Sequence, residues 1–299
     1  MFILLTLLYV LLSSTFIFGS LAMQYTSPAF FVGMRMAFTV LFMLSYIIAR
    51  RINIKIKLKD ILLVLLLGVV HIFIPLVGEA FALKTLSAAK VSLVWSLSPF
   101  VTALFGLLLF GERITKTKLI GLLVGVIGFI PIVVHAATGL QAVPVFFTIG
   151  IADAALLMVV VSSAFAWNLF RKLLHRGYRP LVLNTWSMVF ASVLSFAFSF
   201  FVESWNPLPV TNCSVIFGCL VYLVIIGGLV CYNLYGYMLH HYTATFLSFA
   251  GGTIPFLTAL LQWLILGKPV SWSFLVSLCI IMMGLFIFYK EELRQRYVK

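Results

Sequence analysis

The sequence predicts an all-α integral membrane protein with ten transmembrane helices, arranged as two inverted five-helix repeats. Three observations support this prediction. Of the 299 residues, 64% are hydrophobic, the apolar residues form runs long enough to cross a bilayer, and one apolar motif occurs twice. Only 9% of the residues are charged and the mean hydropathy is +1.20, so the solvent around the chain is lipid.

Each predicted helix is an apolar run of about 20 residues, the length that crosses the hydrocarbon core. Charged or Gly- and Pro-rich breaks separate ten such runs, at residues 2–22, 28–49, 61–83, 87–110, 119–138, 152–173, 181–203, 214–238, 243–266 and 272–290. Long continuous runs favour helices over barrel strands, whose alternating pattern the sequence lacks. The connecting segments are too short for a soluble catalytic domain.

The repeated motif reads PFVTALFGLLLFGE from Pro99 and PFLTALLQWLILGK from Pro255. The same shift of 156 positions aligns Gly128 with Gly284. Because the repeated unit has five helices, an odd number, its second copy must enter the membrane from the opposite side. The predicted organisation is a first repeat at 1–138, an extracytoplasmic linker at 139–151, a second, inverted repeat at 152–290 and a cytoplasmic tail at 291–299.

The net charge of +13 is explained by membrane topology. Most Lys and Arg residues fall at the termini and in alternate loops, whereas the opposite side has only Lys84, Lys90 and Lys268. The positive-inside rule then places both termini in the cytoplasm. We therefore expect a multi-pass protein of the bacterial cytoplasmic (inner) membrane, in contact with lipid and with no nucleic-acid partner.

The repeated regions resemble a known family. The segment SLSPFVTALFGLLLFGE and its second version GGTIPFLTALLQWLILGK are similar to the paired signature of the drug/metabolite transporter superfamily, EamA type, and SPAFFVGMRMAF resembles its second helix. The resemblance covers nearly the whole chain and implies a ten-helix permease. Lys268 departs from the acidic residue often found in the second copy. A narrower resemblance, through GEAFAL and SLSPF, is to the S-adenosylmethionine carriers of obligate intracellular bacteria.

Small and polar side chains form stripes on the helices that contain the repeated motif. They recur at three- and four-residue steps, which places them on one helix face, and each proline leaves a backbone carbonyl free to face a cavity. We therefore predict that these residues bind substrate, although close packing through small residues is the alternative. The candidates are Trp95, Pro99, Thr102, Thr258 and Gln262.

Aromatic and amide side chains cluster in the sixth and eighth predicted helices. Such a combination binds a flat or cationic small molecule by stacking and cation–π attraction. The alternative is that the aromatic rings anchor the helices at the membrane surface. The further substrate-binding candidates are Trp167, Asn168, Tyr232, Asn233 and Tyr235.

Ionisable side chains within apolar runs are the candidates for ion coupling or ion pairing. Arg35 needs a partner, such as Glu79, a carbonyl group or an anionic group of the substrate. Glu79 lies near the outer end of its helix, where its carboxylate can reach the interface. A proton-coupled cycle would titrate Glu79 or His71.

Together these features predict a secondary active transporter that moves a small polar or zwitterionic metabolite, such as an amino acid, by alternating access. One alternative is an exchanger of S-adenosylmethionine and S-adenosylhomocysteine; another is a membrane-embedded enzyme or assembly subunit. The sequence has no P-loop, H-E-x-x-H helix or G-x-S-x-G elbow, so we expect no enzymatic activity, no cofactor and no metal. It leaves substrate, direction, coupling ion and oligomeric state, monomer or dimer, open.

Overall fold

The structure is a computed structural model that describes residues 2–86, 88–111, 115–128, 151–206, 208–267 and 272–294. Most of these residues are helical. We number the helices α1 (Phe2–Ala22), α2 (Pro28–Ala49), α3 (Leu58–Thr85), α4 (segments Ala88–Trp95 and Ser98–Phe110), α5 (Lys116–Ile127), α6 (Ile151–His175), α7 (Pro180–Val202), α8 (Cys213–Met238), α9 (segments Ala244–Ala250, Gly251–Thr253 and Ile254–Leu266) and α10 (Trp272–Arg294).

Among the described residues, seven helices are long and apolar enough to cross a bilayer, namely α1, α2, α3, α6, α7, α8 and α9. Their ends lie within a few residues of the predicted runs. The prediction of an all-helical protein with several membrane spans is confirmed, whereas the count of ten spans stays a prediction. The fifth predicted run extends over residues 129–138, which lie outside the described residues, as do residues 139–150 of the predicted linker and 295–299 of the tail.

Four helices that the sequence predicts as continuous contain interruptions. The helical hydrogen bonds loosen to a π-helical pattern at Gly68–Phe73 in α3 and at Leu223–Cys231 in α8. In α4 and α9 the helix is interrupted just before Pro99 and Pro255, because proline lacks the N–H that would continue the ladder. Each half of the chain therefore carries both kinds of interruption.

The ends of α4 and α9 also match. Gly111 and Gly267 both adopt the left-handed conformation, each with φ of 65°, which terminates a helix and suits glycine because it has no Cβ. The shared ending agrees with the alignment of the two sequence motifs.

Helix α2 packs antiparallel to α7. At the start of α2, the backbone N–H groups of Ala29 and Phe30 donate to the Glu203 carboxylate beyond the end of α7, at 2.8 and 2.9 Å. A carboxylate is stabilised there by the unpaired N–H groups and the helix dipole. Further along, Ser192 Oγ donates to the carbonyl oxygen of Gly33 at 3.0 Å. The two chain directions are therefore opposed along this pair.

Helices α5 and α10 form a second close antiparallel pair. A Cβ added at Gly284 would lie 2.7 Å from the carbonyl oxygen of Gly121 and 2.7 Å from the backbone nitrogen of Gly125. Nearer the end of α5, a Cβ added at Gly128 would lie 2.7 Å from Ile281 Cγ1. Because most of these neighbours are backbone atoms, only glycine allows the two helices to approach so closely.

We expect Gly284→Ala to lower the thermal unfolding midpoint of the detergent-purified protein by roughly 2 to 8 °C, because overpacking costs about 1–3 kcal/mol and the helices must separate. The matched control is Gly218→Ala in α8, since a Cβ at Gly218 meets nothing within 4 Å. Equal midpoints for the two variants would show that the α5–α10 contact contributes little to stability.

Loops join the two halves at both ends of the bundle. At one end Thr26 pairs with Val210, and the Thr26 hydroxyl donates to the carbonyl oxygen of Pro209 at 2.8 Å. At the other end the buried Asp60 carboxylate accepts hydrogen bonds from Arg176 and, at 2.7 Å, from the Tyr178 hydroxyl.

Burial and the Asp60 carboxylate raise the pKa of the Tyr178 hydroxyl. Tyr178 therefore stays protonated at neutral pH and remains a hydrogen-bond donor to Asp60.

Candidate functional site

A cavity lies between helices of both halves of the chain. Side chains of α1 to α4, α6, α8 and α9 line it. The volume open to the centre of a water molecule is about 130 Å³. The cavity is open on one side, so a larger ligand can extend out of it.

One part of the cavity wall is charged. Arg35 of α2 and Glu79 of α3 both line it, and Arg35 is only 8% exposed. The guanidinium lies against Gly227 of α8, where an added Cβ would collide with Nη2 of Arg35. The missing side chain at Gly227 thus provides the space that Arg35 occupies.

An aromatic wall is formed by side chains of α6 and α8. Trp167 and Tyr235 are stacked with ring centroids 3.9 Å apart and planes 27° apart, and Tyr232 lies 6.0 Å from Trp167. Stacked aromatic faces are negative at their centres and attract cations as well as flat rings. We call Trp167, Tyr232 and Tyr235 the aromatic wall.

His71 lies against this wall. Its ring meets Trp167 edge-on with centroids 4.3 Å apart and Tyr232 with centroids 5.3 Å apart. His71 is 1% exposed, and among the described residues neither of its ring nitrogens has a hydrogen-bond partner. Its π-helical segment, Gly68–Phe73, positions the ring on the cavity side. Buried polar atoms normally find partners, and the Asn184 side chain of α7 lies within reach of the imidazole as one such partner.

The fourth helix adds a polar edge. Trp95 and Ser98 line the cavity, and Trp95 lies next to Glu79. Ser248 of α9 donates to Ser98 at 2.9 Å and accepts from Thr102 at 3.3 Å. These hydroxyl groups link α4 to α9 where each helix is interrupted.

The structure brings together seven of the thirteen candidate residues from the sequence. The cavity is lined by Arg35, His71, Glu79, Trp95, Trp167, Tyr232 and Tyr235. All three candidates for ion coupling are in this set.

The other six candidates lie outside the cavity lining. Thr102, Asn168 and Thr258 are buried between helices, where Asn168 donates to the carbonyl oxygen of Thr102 at 3.4 Å and Thr258 donates to that of Ser13 at 3.5 Å. The remaining three are Pro99, which is buried in α4, Gln262 of α9, and Asn233, which borders a separate apolar groove beside Phe42 and Leu181.

Sequence reasoning missed the contribution of α1 and of the small residues in α6, α8 and α9. Tyr9 and Thr15 of α1 line the cavity, as do Ser163, Gly227 and Gly251. One face of α1, with Tyr9 and Ser13 at helical spacing, was the available signal. The space around Gly227 had no sequence signal, because it depends on where Arg35 reaches.

Apolar helices around a polar and aromatic cavity are typical of membrane transport proteins. Comparison with known proteins identifies the family of transport proteins. The model of the EamA-like transporter family matches residues 1–134 and 150–290. The chain therefore belongs to the EamA-like transporter family, within the drug/metabolite transporter superfamily, as the motifs predict.

Curated relatives cover almost the whole chain. The S-adenosylmethionine/S-adenosylhomocysteine transporter of Chlamydia muridarum is 30% identical over 289 residues, which are 96% of this chain and 90% of that protein. The protein of the same name from Chlamydia trachomatis serovar L2 is also 30% identical, over 96% of this chain and 88% of its own. An uncharacterized transporter of Archaeoglobus fulgidus is 25% identical, over 91% of this chain and 92% of that protein.

A solved protein crystal structure has a TM-score of 0.74 to this chain. It is 18% identical and covers 98% of each chain. At that identity the similarity supports the fold and carries no information on the substrate.

Proposed function

We propose that this protein is a secondary carrier that exchanges S-adenosylmethionine and S-adenosylhomocysteine across the cytoplasmic membrane by alternating access. The observation that carries the proposal is the cavity between the two halves, which combines a buried cation, a carboxylate and an aromatic wall. The names of the Chlamydia relatives, 30% identical over 96% of this chain, support this substrate.

The chemistry of the cavity suits such a molecule. S-adenosylmethionine has a flat adenine ring, a positively charged sulfonium group and a zwitterionic amino-acid end. The aromatic wall offers a stacking surface for the ring and cation–π attraction for the sulfonium. S-adenosylhomocysteine differs by the loss of one methyl group and the sulfonium charge, so it fits the same space.

Alternating access requires two halves that can exchange conformations, and we infer that the halves are inverted repeats. Pro28 and Pro180 are the first residues of α2 and α7, and a shift of 152 positions aligns them. Helix α2 is therefore the counterpart of α7, and these two helices run antiparallel. Alignment of Gly128 with Gly284 makes α5 the counterpart of α10, which is a second antiparallel pair. Counterparts that run in opposite directions are what an in-plane two-fold relation produces.

We place both termini in the cytoplasm on the basis of the positive-inside rule. The basic residues Arg50 and Arg51 after α2, with Arg176 and Arg179 before α7, then mark the cytoplasmic end of the bundle. The Asp60 and Arg176 contact lies at that end, and the Thr26 and Val210 contact lies at the outer end.

The test is exchange in proteoliposomes. Vesicles that contain the purified protein and internal S-adenosylhomocysteine are expected to take up labelled S-adenosylmethionine, whereas protein-free vesicles take up none. Unlabelled S-adenosylmethionine should compete, and methionine or choline should compete weakly. The substrate assignment is overturned if neither adenosyl compound is transported and neither raises the unfolding temperature of the protein. Stabilisation by methionine alone would favour the second candidate, an amino-acid carrier.

A further inference from the structure

The position of Arg35 in the fold needs an explanation. The side chain is 8% exposed in an apolar bundle. Its buried Nε has no hydrogen-bond partner among the described residues. A guanidinium is always charged and presents five donors. Burying such a group without a partner is costly in a membrane protein.

The second half has an uncharged residue at the matching position. The shift of 152 positions that aligns Pro28 with Pro180 also aligns Arg35 with Ser187 of α7. A Cβ added at Gly68 of α3 would lie 2.9 Å from Cβ of Phe190 and 3.3 Å from the backbone carbonyl oxygen of Ser187. Helix α7 therefore packs against α3 there without a charged side chain, whereas Arg35 reaches Gly227 with its guanidinium.

Glu79 is the nearby opposite charge, but it does not neutralise Arg35 by direct contact. The two groups are close enough to interact electrostatically, and both line the cavity, yet the described residues contain no ion pair between them. A space bordered by a cation on one side and a carboxylate on the other fits a ligand that carries both charges.

We propose that Arg35 binds the α-carboxylate and Glu79 the α-ammonium group of the substrate, so that the carrier accepts only molecules with an intact α-amino-acid end. This rests on the proposed function and deepens it. A planar guanidinium matches a carboxylate with two parallel hydrogen bonds, and Glu79 accepts from an ammonium group. The carboxylate of the ligand thereby supplies the partner that Nε of Arg35 lacks, and its ammonium group supplies an opposite charge for Glu79, which has the indole of Trp95 beside it.

The aromatic wall then accounts for the rest of the molecule. Trp167 and Tyr235 line the same cavity as the two charges, so the adenosyl part can lie against their rings while the amino-acid end is held. Stacking on the rings accommodates both S-adenosylmethionine and S-adenosylhomocysteine. A ligand that lacks the amino-acid end is disfavoured, because the Arg35 charge would stay buried without an anionic partner.

The experiment compares ligands with and without the amino-acid end. Binding is measured by calorimetry on the detergent-purified full chain. The affinity for S-adenosylhomocysteine is compared with that for 5′-methylthioadenosine, and the affinity for methionine with that for methionine methyl ester. Wild type is expected to prefer the member of each pair with a free carboxylate by about 30-fold or more, the loss typical of leaving a buried charge unpaired.

Arg35→Gln is expected to remove most of this preference. It should weaken the binding of S-adenosylhomocysteine, while the affinity for 5′-methylthioadenosine changes by less than about threefold. Arg35→Lys retains the charge but not the two-pronged geometry, and should recover part of the affinity. Glu79→Gln should lower the affinity for ligands that carry a free ammonium group. Arg50→Gln, at an exposed arginine after α2, is the control for loss of one charge, and unchanged 5′-methylthioadenosine binding shows that each variant is folded.

The outcomes separate the two proposals. If wild type binds S-adenosylhomocysteine and 5′-methylthioadenosine equally well, the amino-acid recognition is wrong and the proposed function stands. If neither adenosyl compound binds but methionine does, and Arg35→Gln abolishes its binding, the recognition by Arg35 stands and the proposed cargo is wrong. Binding of none of the four ligands overturns both.

Discussion

Replacing Gly227 with alanine is expected to weaken S-adenosylhomocysteine binding by about 30-fold or more while the helix bundle stays folded. The added methyl group would collide with Nη2 of Arg35, which lies in the space left by the glycine. Because the guanidinium is the far end of a flexible side chain, it can move aside at little cost in stability. It would then leave the position from which it reaches the substrate. The measurement is calorimetric binding together with the unfolding midpoint.

The neighbouring glycine provides a matched control with the opposite result. A Cβ at Gly228 would lie 2.6 Å from Cγ2 and 3.1 Å from Cβ of Thr39, a β-branched side chain that is stiff and fully buried. Gly228→Ala should therefore lower the unfolding midpoint by a few degrees. Wild-type affinity in Gly227→Ala would contradict the role of this space in positioning Arg35.

Removal of the indole ring of Trp167 is expected to produce a second large loss of affinity. Trp167 stacks on Tyr235 at 3.9 Å and meets His71 edge-on at 4.3 Å, so it is the central ring of the aromatic wall. Trp167→Ala removes ring stacking of about 0.5–1.5 kcal/mol and a desolvated cation–π contact of about 2 kcal/mol, which together correspond to roughly 100-fold in affinity for S-adenosylmethionine. Trp167→Phe should retain part of it.

The loss should be smaller for S-adenosylhomocysteine, which has no sulfonium charge and so loses only the stacking contribution. Trp263→Ala is the control, because this tryptophan of α9 is 49% exposed on the apolar surface and should leave affinity unchanged. If Trp167→Ala binds both ligands as wild type does, the adenosyl group does not lie on the aromatic wall.

The sequence was informative about helices for a simple physical reason. In lipid every backbone group must be paired within its own segment, so an apolar run of sufficient length becomes a helix regardless of its neighbours. The runs at 28–49 and 2–22 accordingly match α2 and α1 as observed. The interruptions at Gly68–Phe73 and Leu223–Cys231 were not foreseen, because the glycines there do not by themselves specify a π-helical segment.

The candidate site was predictable only in part. Arg35, His71 and Glu79 were identifiable because ionisable groups are expensive in hydrocarbon and must serve some purpose. Thr258 and Gln262 share a helix face with residues near the cavity, yet they lie outside its lining. Helical spacing shows which residues share a face; it does not show how far along the helix the cavity extends.

By itself, the sequence determined the solvent, the helical architecture and the family of this protein, because hydrophobic run length and a duplicated motif are local properties of the chain. Only the tertiary structure decided that Arg35 lies in the space left by Gly227, that it forms no ion pair with Glu79 in the described structure, and that Trp167 stacks on Tyr235. These contacts join helices far apart in the chain, and their geometry depends on how closely the helices pack.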